Sequence, residues 1–416
     1  MISELLDKQA SKITLAICVL SLVIFYGIRD HQKSTQNRRS QLQGEIILWA
    51  EMPIRLTKEQ SKSHQSSVGK VVEKFQGLNP GVRILTKFLP SNQIFKPFEL
   101  QAKRGGGPDL LIAYESSQIV RLIQAGLLKS VDESQIEKSQ FHANALRSVR
   151  YRGKLYGFPL YFSTQTLCYN LDKVKTPPKT LTELIQQART GHSVGVLSGF
   201  TEAFWGTGIF GDRLLDSSGR IILDRGQGWA QWMKWLKEAQ HEPNFILSNN
   251  AEALKRAFVE EKLAYLTCSS GWIAYFTEVM GKNKLGVALL PGDQGKAATP
   301  MLWVGSILLN QVSSPKQSKI ALQFAQFLTN TEQQKQLQSE LPFISSNKNV
   351  MIDRRLFPVQ AVLLDQFQTT INHSLDDEEK FQIIRDHGDM LYQKVLTGEL
   401  NPDQAASDLV QQINQQ

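Results

Sequence analysis

The sequence predicts an α/β protein built from two domains, and three observations lead to this fold class. The chain has 416 residues, which is long for one ordinary hydrophobic core and sufficient for two. Hydrophobic residues make up 41% and charged residues 21% of it, a composition typical of a folded globular protein. Residues 45–88 then show a strand, a helix and a strand in succession, which indicates a parallel sheet with a right-handed crossover.

An apolar run, Ile13 to Ile28, precedes these elements. It is shorter than the ~20 residues of a comfortable membrane span, but no cleavage site of small residues follows it. We therefore expect one N-terminal apolar helix that stays as a membrane anchor, followed by a polar tether. Basic residues outnumber acidic ones after the run, and the positive-inside rule alone would keep the main body in the cytoplasm.

The net charge of +8 does not indicate a nucleic-acid partner. Six basic and three acidic residues lie within the first 43 positions, so the remainder carries only a mild positive excess. No block of basic residues alternates with aromatic ones, as a nucleic-acid groove requires. We expect no nucleic acid among the partners.

Hydrophobic spacing defines the first elements of the main body. Glu45–Ala50 is a short apolar strand. Apolar residues at i, i+3, i+4 and i+7 from Val68 to Phe75 predict a helix with one buried face. Asn79–Gly81 ends this helix, and alternating apolar residues from Val82 to Phe88 predict the second strand.

A glycine-rich run, Gly105 to Asp109, precedes the apolar strand Leu110–Ala113. A phosphate-binding loop is one interpretation, but no helix opens on the glycines and no Lys-Ser/Thr pair closes the motif. The sequence favours a structural role, in which the glycines let the backbone turn tightly into a buried strand.

The stretch from Tyr151 to Leu184 has the most distinctive pattern in the chain. Tyr151–Pro159 predicts a two-stranded hairpin with its turn at Gly153, and Tyr161–Tyr169 predicts one strand. A proline pair and the capping-box spacing that begins at Thr180 then predict the start of a helix.

The region beyond Leu184 predicts a second α/β unit. A tryptophan-rich face predicts a helix that packs in the core, through Trp229, Trp232, Met233 and Leu236. A helix at Ala253–Phe258 and strands at Leu263–Thr267 and Gly286–Pro291 follow. Apolar residues from Ile320 to Leu328 predict a further helix, and more helices follow from about Met351 onward.

The three cysteines and seven histidines do not form a metal or redox motif. Cys18 lies in the apolar run, whereas Cys168 and Cys268 each lie in a strand-like segment. We expect two buried free thiols at these positions, and pairing between them stays open. No histidine has ligand spacing to another His, Cys or carboxylate, so we expect neither a metal nor a cofactor.

The order of these motifs resembles that of the extracellular solute-binding proteins of carbohydrate ABC importers, the maltose-binding type. The Tyr151–Leu184 stretch, the glycine-rich run and the Ala125–Leu128 turn carry the resemblance. It implies a two-lobed periplasmic-binding-protein fold of type II, with a hinge between the lobes, after the N-terminal helix. The implied parts are residues 1–43 as signal or anchor and tether, 44–161 with 292–347 as lobe 1, and 162–291 with 348–416 as lobe 2.

The resemblance also implies a function. The chain would be the substrate-binding component of an ABC importer, which captures a small carbohydrate or polyol between its lobes and delivers it to permease subunits driven by a separate ATPase. It would act as a monomer in the periplasm or another extracytoplasmic space, tethered to the plasma membrane, in conflict with the positive-inside pattern. The alternatives are a membrane-tethered sensor or interaction module on the same fold, and a binding protein for a non-sugar solute.

Sugars present C–H faces that pack on aromatic rings and hydroxyls that need donors and acceptors. The resemblance places nine such residues at the ligand, which are Trp49, Glu51, Tyr114, Glu115, Ser163, Gln165, Trp205, Trp272 and Trp303. Those at strand ends also follow the rule that open parallel sheets bind ligands outside the carboxyl ends of their strands. Each tryptophan has a structural alternative, because it can instead pack in a lobe or against the hinge.

Two departures from the maltose-binding pattern affect the choice of sugar. Ser163 stands where that pattern has a carboxylate, and Ala113 replaces its tryptophan. They weaken the expectation of a maltodextrin and leave the carbohydrate class. No catalytic residue is expected, since a glycosidase pair among Glu51, Glu115 and Glu202 would have to face each other across a sugar, and nothing in the sequence predicts this.

Overall fold

The computed structural model describes residues 42–52, 58–216, 220–223, 227–341 and 343–415. The predicted apolar helix at residues 13–28 lies outside these ranges. Within them, no helix has the length and apolar character needed to cross a membrane.

The strands have the following bounds. In chain order they are β1 (Gly44–Met52), β2 (Val82–Pro90), β3 (Leu110–Ala113), β4 (Leu128–Lys129), β5 (Arg150–Tyr151), β6 (Lys154–Leu155), β7 (Gly157–Ser163), β8 (Gln165–Asn170), β9 (Val194–Leu197), β10 (Phe245–Ser248), β11 (Tyr265–Ser269), β12 (Leu285–Ala288), β13 (Trp303–Asn310) and β14 (Ile344–Ser345).

The α-helices are numbered in the same way. They are α1 (Lys58–Leu78), α2 (Phe95–Lys103), α3 (Ser116–Gln124), α4 (Ala143–Arg147), α5 (Leu181–Arg189), α6 (Phe200–Ala203), α7 (Gln227–Ala239), α8 (Ala251–Val259), α9 (Ile273–Met280), α10 (Pro315–Leu328), α11 (Thr331–Glu340), α12 (Pro358–Phe367), α13 (Glu378–Thr397) and α14 (Pro402–Asn414).

The described strands form two main sheets that alternate along the chain. The first has seven strands in the order β14-β7-β13-β3-β1-β2, with β4 paired to β13. The second has five strands in the order β10-β9-β11-β8-β12. The chain therefore leaves the first sheet after β7, builds the second, and returns to the first at β13.

The first β-α-β unit follows from its hydrophobic spacing. β1 and β2 pair in parallel from Gly44 opposite Val82 onward, as predicted. The helix between them buries the predicted face, whose members are Val68, Val71, Val72 and Phe75. Phe75 packs on Phe324 of α10, with ring centroids 5.2 Å apart, so α1 and α10 cover the same side of the first sheet.

Asp109 ends the glycine-rich run and joins it to the sheet. Its buried carboxylate accepts hydrogen bonds from the backbone N–H of Ile47 at 2.8 Å and from the hydroxyl of Ser313 at 2.6 Å. Gly105 and Gly107 in this run have positive φ, of 79° and 101°, which agrees with the tight turn predicted for the glycines.

The hairpin predicted after Tyr151 is also confirmed. β5 and β6 pair with Arg150 opposite Leu155. Arg152 and Gly153 both have positive φ, of 46° and 77°, at the turn between the two strands. Glycine relieves the strain at one of these two positions.

The single strand predicted over Tyr161–Tyr169 is wrong in one respect. The segment divides at Thr164 into β7, which belongs to the first sheet, and β8, which belongs to the second. The Thr164 hydroxyl donates to the carbonyl of Met301 at 2.9 Å, so the break is held against the returning chain. An alternating pattern shows extended backbone but not which sheet each half joins.

The expectation of free thiols at Cys168 and Cys268 is also wrong, since the two form a disulfide. Cys168 pairs with Leu266 and Cys268 with Thr166 across the antiparallel strands β8 and β11. The two cysteines therefore lie on neighbouring strands, two residues apart in register. Their separation of 100 residues in sequence hides this proximity.

Candidate functional site

The candidate site lies where the edges of the two sheets meet. β1 and β3 are parallel, and β13 is antiparallel to both β3 and β7, so β1, β3 and β7 all end at one edge of the first sheet. The chain crosses from this edge to the second sheet at Thr164. There, Gln165 begins β8 and pairs with Ser269 at the end of β11. The ends of parallel strands are a usual place for ligands in α/β folds.

Glu51 is the buried carboxylate of the first edge. It lies near the end of β1 and is only 1% exposed. Its Oε2 accepts the backbone N–H of Tyr114 at 3.0 Å, whereas its Oε1 has no hydrogen-bond donor among the described residues. Burial raises the pKa of Glu51 from 4.5 to about 7, although hydrogen bonding to Ser91 and Tyr114 acts in the opposite direction.

Hydroxyl groups surround this carboxylate. The Ser91 Oγ and the Tyr114 hydroxyl lie 2.8 Å apart in a hydrogen bond. The Tyr161 side chain comes from β7, and its pKa is raised by burial and further by Tyr114 and Glu51. The ends of β1, β2, β3 and β7 thus supply one polar cluster. Glu115 follows Tyr114 but is exposed, and it accepts the Ser117 hydroxyl at 3.3 Å.

Serines join the two edges at the crossover. The Ser163 Oγ, at the end of β7, lies 2.9 Å from the Ser270 Oγ, just beyond β11. The Ser270 Oγ also accepts the backbone N–H of Thr164 at 3.2 Å. Trp303 pairs with Ser163 in the first sheet, and its half-buried indole packs against the core of the second. These residues therefore sit at the connection between the sheets.

Gln165 is the buried amide of the second edge. It is 2% exposed, and its Nε2 donates to the carbonyl of Glu202 at 2.9 Å. No described residue donates to its Oε1. Each of the two edges thus holds one buried side-chain oxygen that can still accept a hydrogen bond.

Trp272 lies in the short 3-10 turn that follows β11. It is half-buried, and its ring meets Phe276 edge-on at 6.3 Å. The Nζ of Lys255 lies 5.5 Å from the centroid of the Trp272 ring. This tryptophan combines partial exposure with a position at the second edge, as the sequence predicts for a stacking residue.

Two of the residues predicted to contact the ligand, Trp49 and Trp205, are buried in the structure. Trp49 is two residues before Glu51 and packs in the core with Phe95, because it lies within β1 rather than at its end. Trp205 is fully buried and packs on Trp232 of α7, with centroids 4.8 Å apart. Both indoles therefore pack in a hydrophobic core, which favours the structural alternative for these two residues.

Sequence reasoning missed several polar residues at the site, notably Ser91, Tyr161 and Ser270. Ser91 directly follows β2, so the carboxyl-end rule that selected Glu51 and Tyr114 would have selected it too. Tyr161 carried no comparable signal, because it lies within β7 and only the register with Gly305 brings it to the cluster.

The chemistry available here is hydrogen bonding and stacking. Within the described ranges, no group of three His, Cys, Asp or Glu side chains is arranged to hold a metal ion. Two buried acceptors, a cluster of hydroxyls and a half-exposed indole fit an uncharged ligand that carries both hydroxyls and C–H faces.

Comparisons with known proteins agree with this geometry. The sequence model of a family described as bacterial extracellular solute-binding protein matches residues 70–353, more than half of the chain. A galactooligosaccharide-binding protein from Bacillus subtilis (strain 168) is 24% identical over 417 residues, covering 96% of this chain and 95% of that protein. A maltooligosaccharide ABC transporter solute-binding lipoprotein from Streptococcus pneumoniae serotype 4 is 22% identical over 438 residues, covering 98% and 97% respectively.

A solved structure establishes the architecture. The maltose-binding periplasmic protein MalE of Listeria monocytogenes, in complex with maltose, matches with a TM-score of 0.74 at 17% sequence identity. The match covers 89% of this chain and 97% of that one. The predicted two-lobed α/β fold is thereby confirmed.

Proposed function

Because the chain belongs to the bacterial extracellular solute-binding protein family, we propose that it is the substrate-binding component of an ABC importer for a sugar or sugar-derived solute. The names of its relatives, one for galactooligosaccharides and one for maltooligosaccharides, support the carbohydrate class. The protein is a binding protein and not an enzyme, and it acts on the extracytoplasmic side. Permease subunits with a separate ATPase would receive the ligand.

One observation carries the proposal for this site. Glu51 Oε1, at the edge of the first sheet, and Gln165 Oε1, at the edge of the second, are both buried without a donor among the described residues. A buried acceptor without a partner costs about 1–3 kcal/mol, and a ligand that donates one hydroxyl to each of these oxygens would remove both costs. Because neither oxygen is accessible to solvent, a ligand reaches them only when the two edges separate.

Hinge motion provides that separation. We assign residues 44–161 with 292–347 to lobe 1 and residues 162–291 with 348–416 to lobe 2, a division supported by the strands that each sheet contains. The strand break at Thr164 is one hinge connection. Only the closed state lets both lobes contact the ligand, so binding shifts the open–closed equilibrium toward closure, and the permease recognises the closed form.

The disulfide supports an extracytoplasmic location, since disulfides persist in oxidising compartments outside the cytoplasm. Residues 1–43 would tether the protein to the plasma membrane, where it acts as a monomer. The ligand-contacting residues of this proposal are Glu51, Tyr114, Glu115, Ser163, Gln165, Trp272 and Trp303.

Isothermal titration against galactooligosaccharides, maltooligosaccharides, monosaccharides and polyols tests the proposal. We expect saturable heat with at least one of these classes, and a roughly 3- to 10-fold weaker affinity for Gln165→Leu, since one hydrogen bond is lost. Gln333→Leu is the matched control, because Gln333 is an equally buried glutamine of α11 whose amide also lacks partners among the described residues. Absence of heat with every carbohydrate, together with tight binding of a charged solute, would refute the proposal.

A further inference from the structure

Lys255 is a buried lysine in α8, with only 5% of its surface exposed. Its Nζ lies 3.4 Å from both carboxylate oxygens of Glu252, one turn earlier in the same helix. The Glu252 side chain is 56% exposed, so this ion pair is screened by solvent and contributes little.

Two aromatic rings lie close to the ammonium group of Lys255. The Lys255 Nζ lies 5.5 Å from the ring centroid of Trp272 and 5.1 Å from that of Tyr275. Both distances fall within the range of cation–π attraction, which strengthens when the cation is removed from water. Because the rings belong to residues three apart at the start of α9, one ammonium group contacts both side chains at once.

The side-chain orientation of Trp272 depends on contacts like the one with Lys255. Trp272 lies two residues after Ser270, whose hydroxyl is hydrogen-bonded to that of Ser163 at the crossover, so its backbone lies at the edge of the cleft. The indole itself is only half-buried. A side chain with that much freedom stacks well on a ligand only if a neighbour restricts its rotamers beforehand.

We propose that Lys255 is a positioning residue that fixes the indole of Trp272 for stacking on the sugar, without itself touching the ligand. This inference rests on the proposed function, because it assigns Trp272 to the ligand. The C–H face of a pyranose or furanose would stack on the Trp272 ring. Lys255 then sets affinity through ring orientation rather than through its own hydrogen bonds.

The test compares four variants of the full chain by titration with the sugar that wild type binds. Lys255→Met keeps the length of the side chain and removes its charge, and we expect about 3- to 10-fold weaker binding. Lys255→Arg keeps a cation over the rings and should bind within about 2-fold of wild type. Trp272→Ala should lose more affinity than either, and adding Lys255→Met to it should cause no further loss.

Near-ultraviolet circular dichroism supplies a readout that does not need a ligand. Subtracting the Trp272→Ala spectrum from wild type gives the band of Trp272, and Lys255→Met should weaken that band while Lys255→Arg preserves it. If Lys255→Met does not fold, Tyr275→Leu removes one ring and should weaken both the band and the affinity. Glu252→Gln is the control and should leave both unchanged.

Two outcomes would overturn the inference. One is wild-type affinity and an unchanged band in Lys255→Met. The other is a loss from Lys255→Met that adds fully to that of Trp272→Ala, which would mean that Lys255 acts independently of the ring. Failure of wild type to bind any sugar would instead refute the proposed function, and the dichroism band would still report whether Lys255 orients the indole.

Discussion

The backbone N–H of Tyr114 donates a 3.0 Å hydrogen bond to Glu51 Oε2, which joins the residue after β3 to the end of β1. This bond occupies one carboxylate oxygen. No described residue donates a hydrogen bond to the other oxygen, Oε1. The pair fixes a buried carboxyl group at the edge of the first sheet. Its protonation therefore affects both stability and the hydrogen bonds that it offers to a ligand.

Glu51→Gln should change how stability depends on pH. Burial raises the pKa of Glu51 from 4.5 to about 7, so the folded state binds more protons than the unfolded state between these values. Its contribution to the free energy of unfolding is present below about pH 4.5 and is lost as pH rises through about 7. Urea unfolding from pH 5 to 8 should show a decline in wild type, on the order of 2–3 kcal/mol, that is smaller in the variant.

Glu115→Gln is the control for this comparison, because Glu115 is the exposed carboxylate next to Tyr114. It should reproduce most of the wild-type decline, because the charge of Glu115 raises the pKa of Glu51 by less than burial does. A wild-type profile that is already flat between pH 5 and 8 would mean that Glu51 is ionised in the folded protein without penalty.

Removing the disulfide should destabilise the second sheet. Cys168 and Cys268 close a loop of 100 residues, and the entropy model gives about 4.7 kcal/mol for loops of this length, with measured losses of about 2–5 kcal/mol. Cys168→Ala/Cys268→Ala should therefore unfold at lower urea concentration. Thiol labelling of the denatured wild type should find one free thiol without reductant and three after reduction, and three in both samples would contradict the disulfide.

Trp205→Ala should affect stability and spare affinity. The ring is fully buried on Trp232, so its loss leaves a cavity and costs about 3–5 kcal/mol. Sugar affinity per folded molecule should remain within about 2-fold of wild type. Chemical unfolding together with titration measures both, and a large loss of affinity with little loss of stability would place Trp205 at the ligand after all.

Gly305→Ala should be destabilising because the Tyr161 ring covers Gly305. A Cβ at this position would lie 2.4 Å from the ring, and accommodating it would displace a member of the Glu51 cluster. Overpacking of this kind costs about 1–3 kcal/mol. Gly69→Ala in α1 meets nothing within 4 Å and should instead stabilise by up to about 1 kcal/mol, so equal effects in thermal unfolding would contradict the packing.

Local sequence patterns predicted the elements whose formation depends on residues close together in the sequence. The apolar spacing from Val68 to Phe75 determines which face of α1 is buried, and the turn at Arg152–Gly153 determines the hairpin. The helix after the proline pair begins as its cap predicts, since the Thr180 Oγ1 accepts the N–H of Glu183 at 3.1 Å.

The predictions that failed concern features that depend on residues distant in the sequence. The break at Thr164 reflects which sheet each half of the segment joins, and the disulfide reflects the register of β8 with β11. Trp205 and Trp272 have similar aromatic surroundings in sequence, yet one is enclosed by α7 and the other lies at a strand end. Only tertiary packing separates the two.

Small-angle X-ray scattering with and without a saturating sugar tests the central claim most directly. A solute captured between two lobes draws them together, so we predict a smaller radius of gyration with the sugar and no change with a carbohydrate that gives no heat. An unchanged radius of gyration at saturation would contradict the account, because the ligand would then bind outside the interlobe cleft.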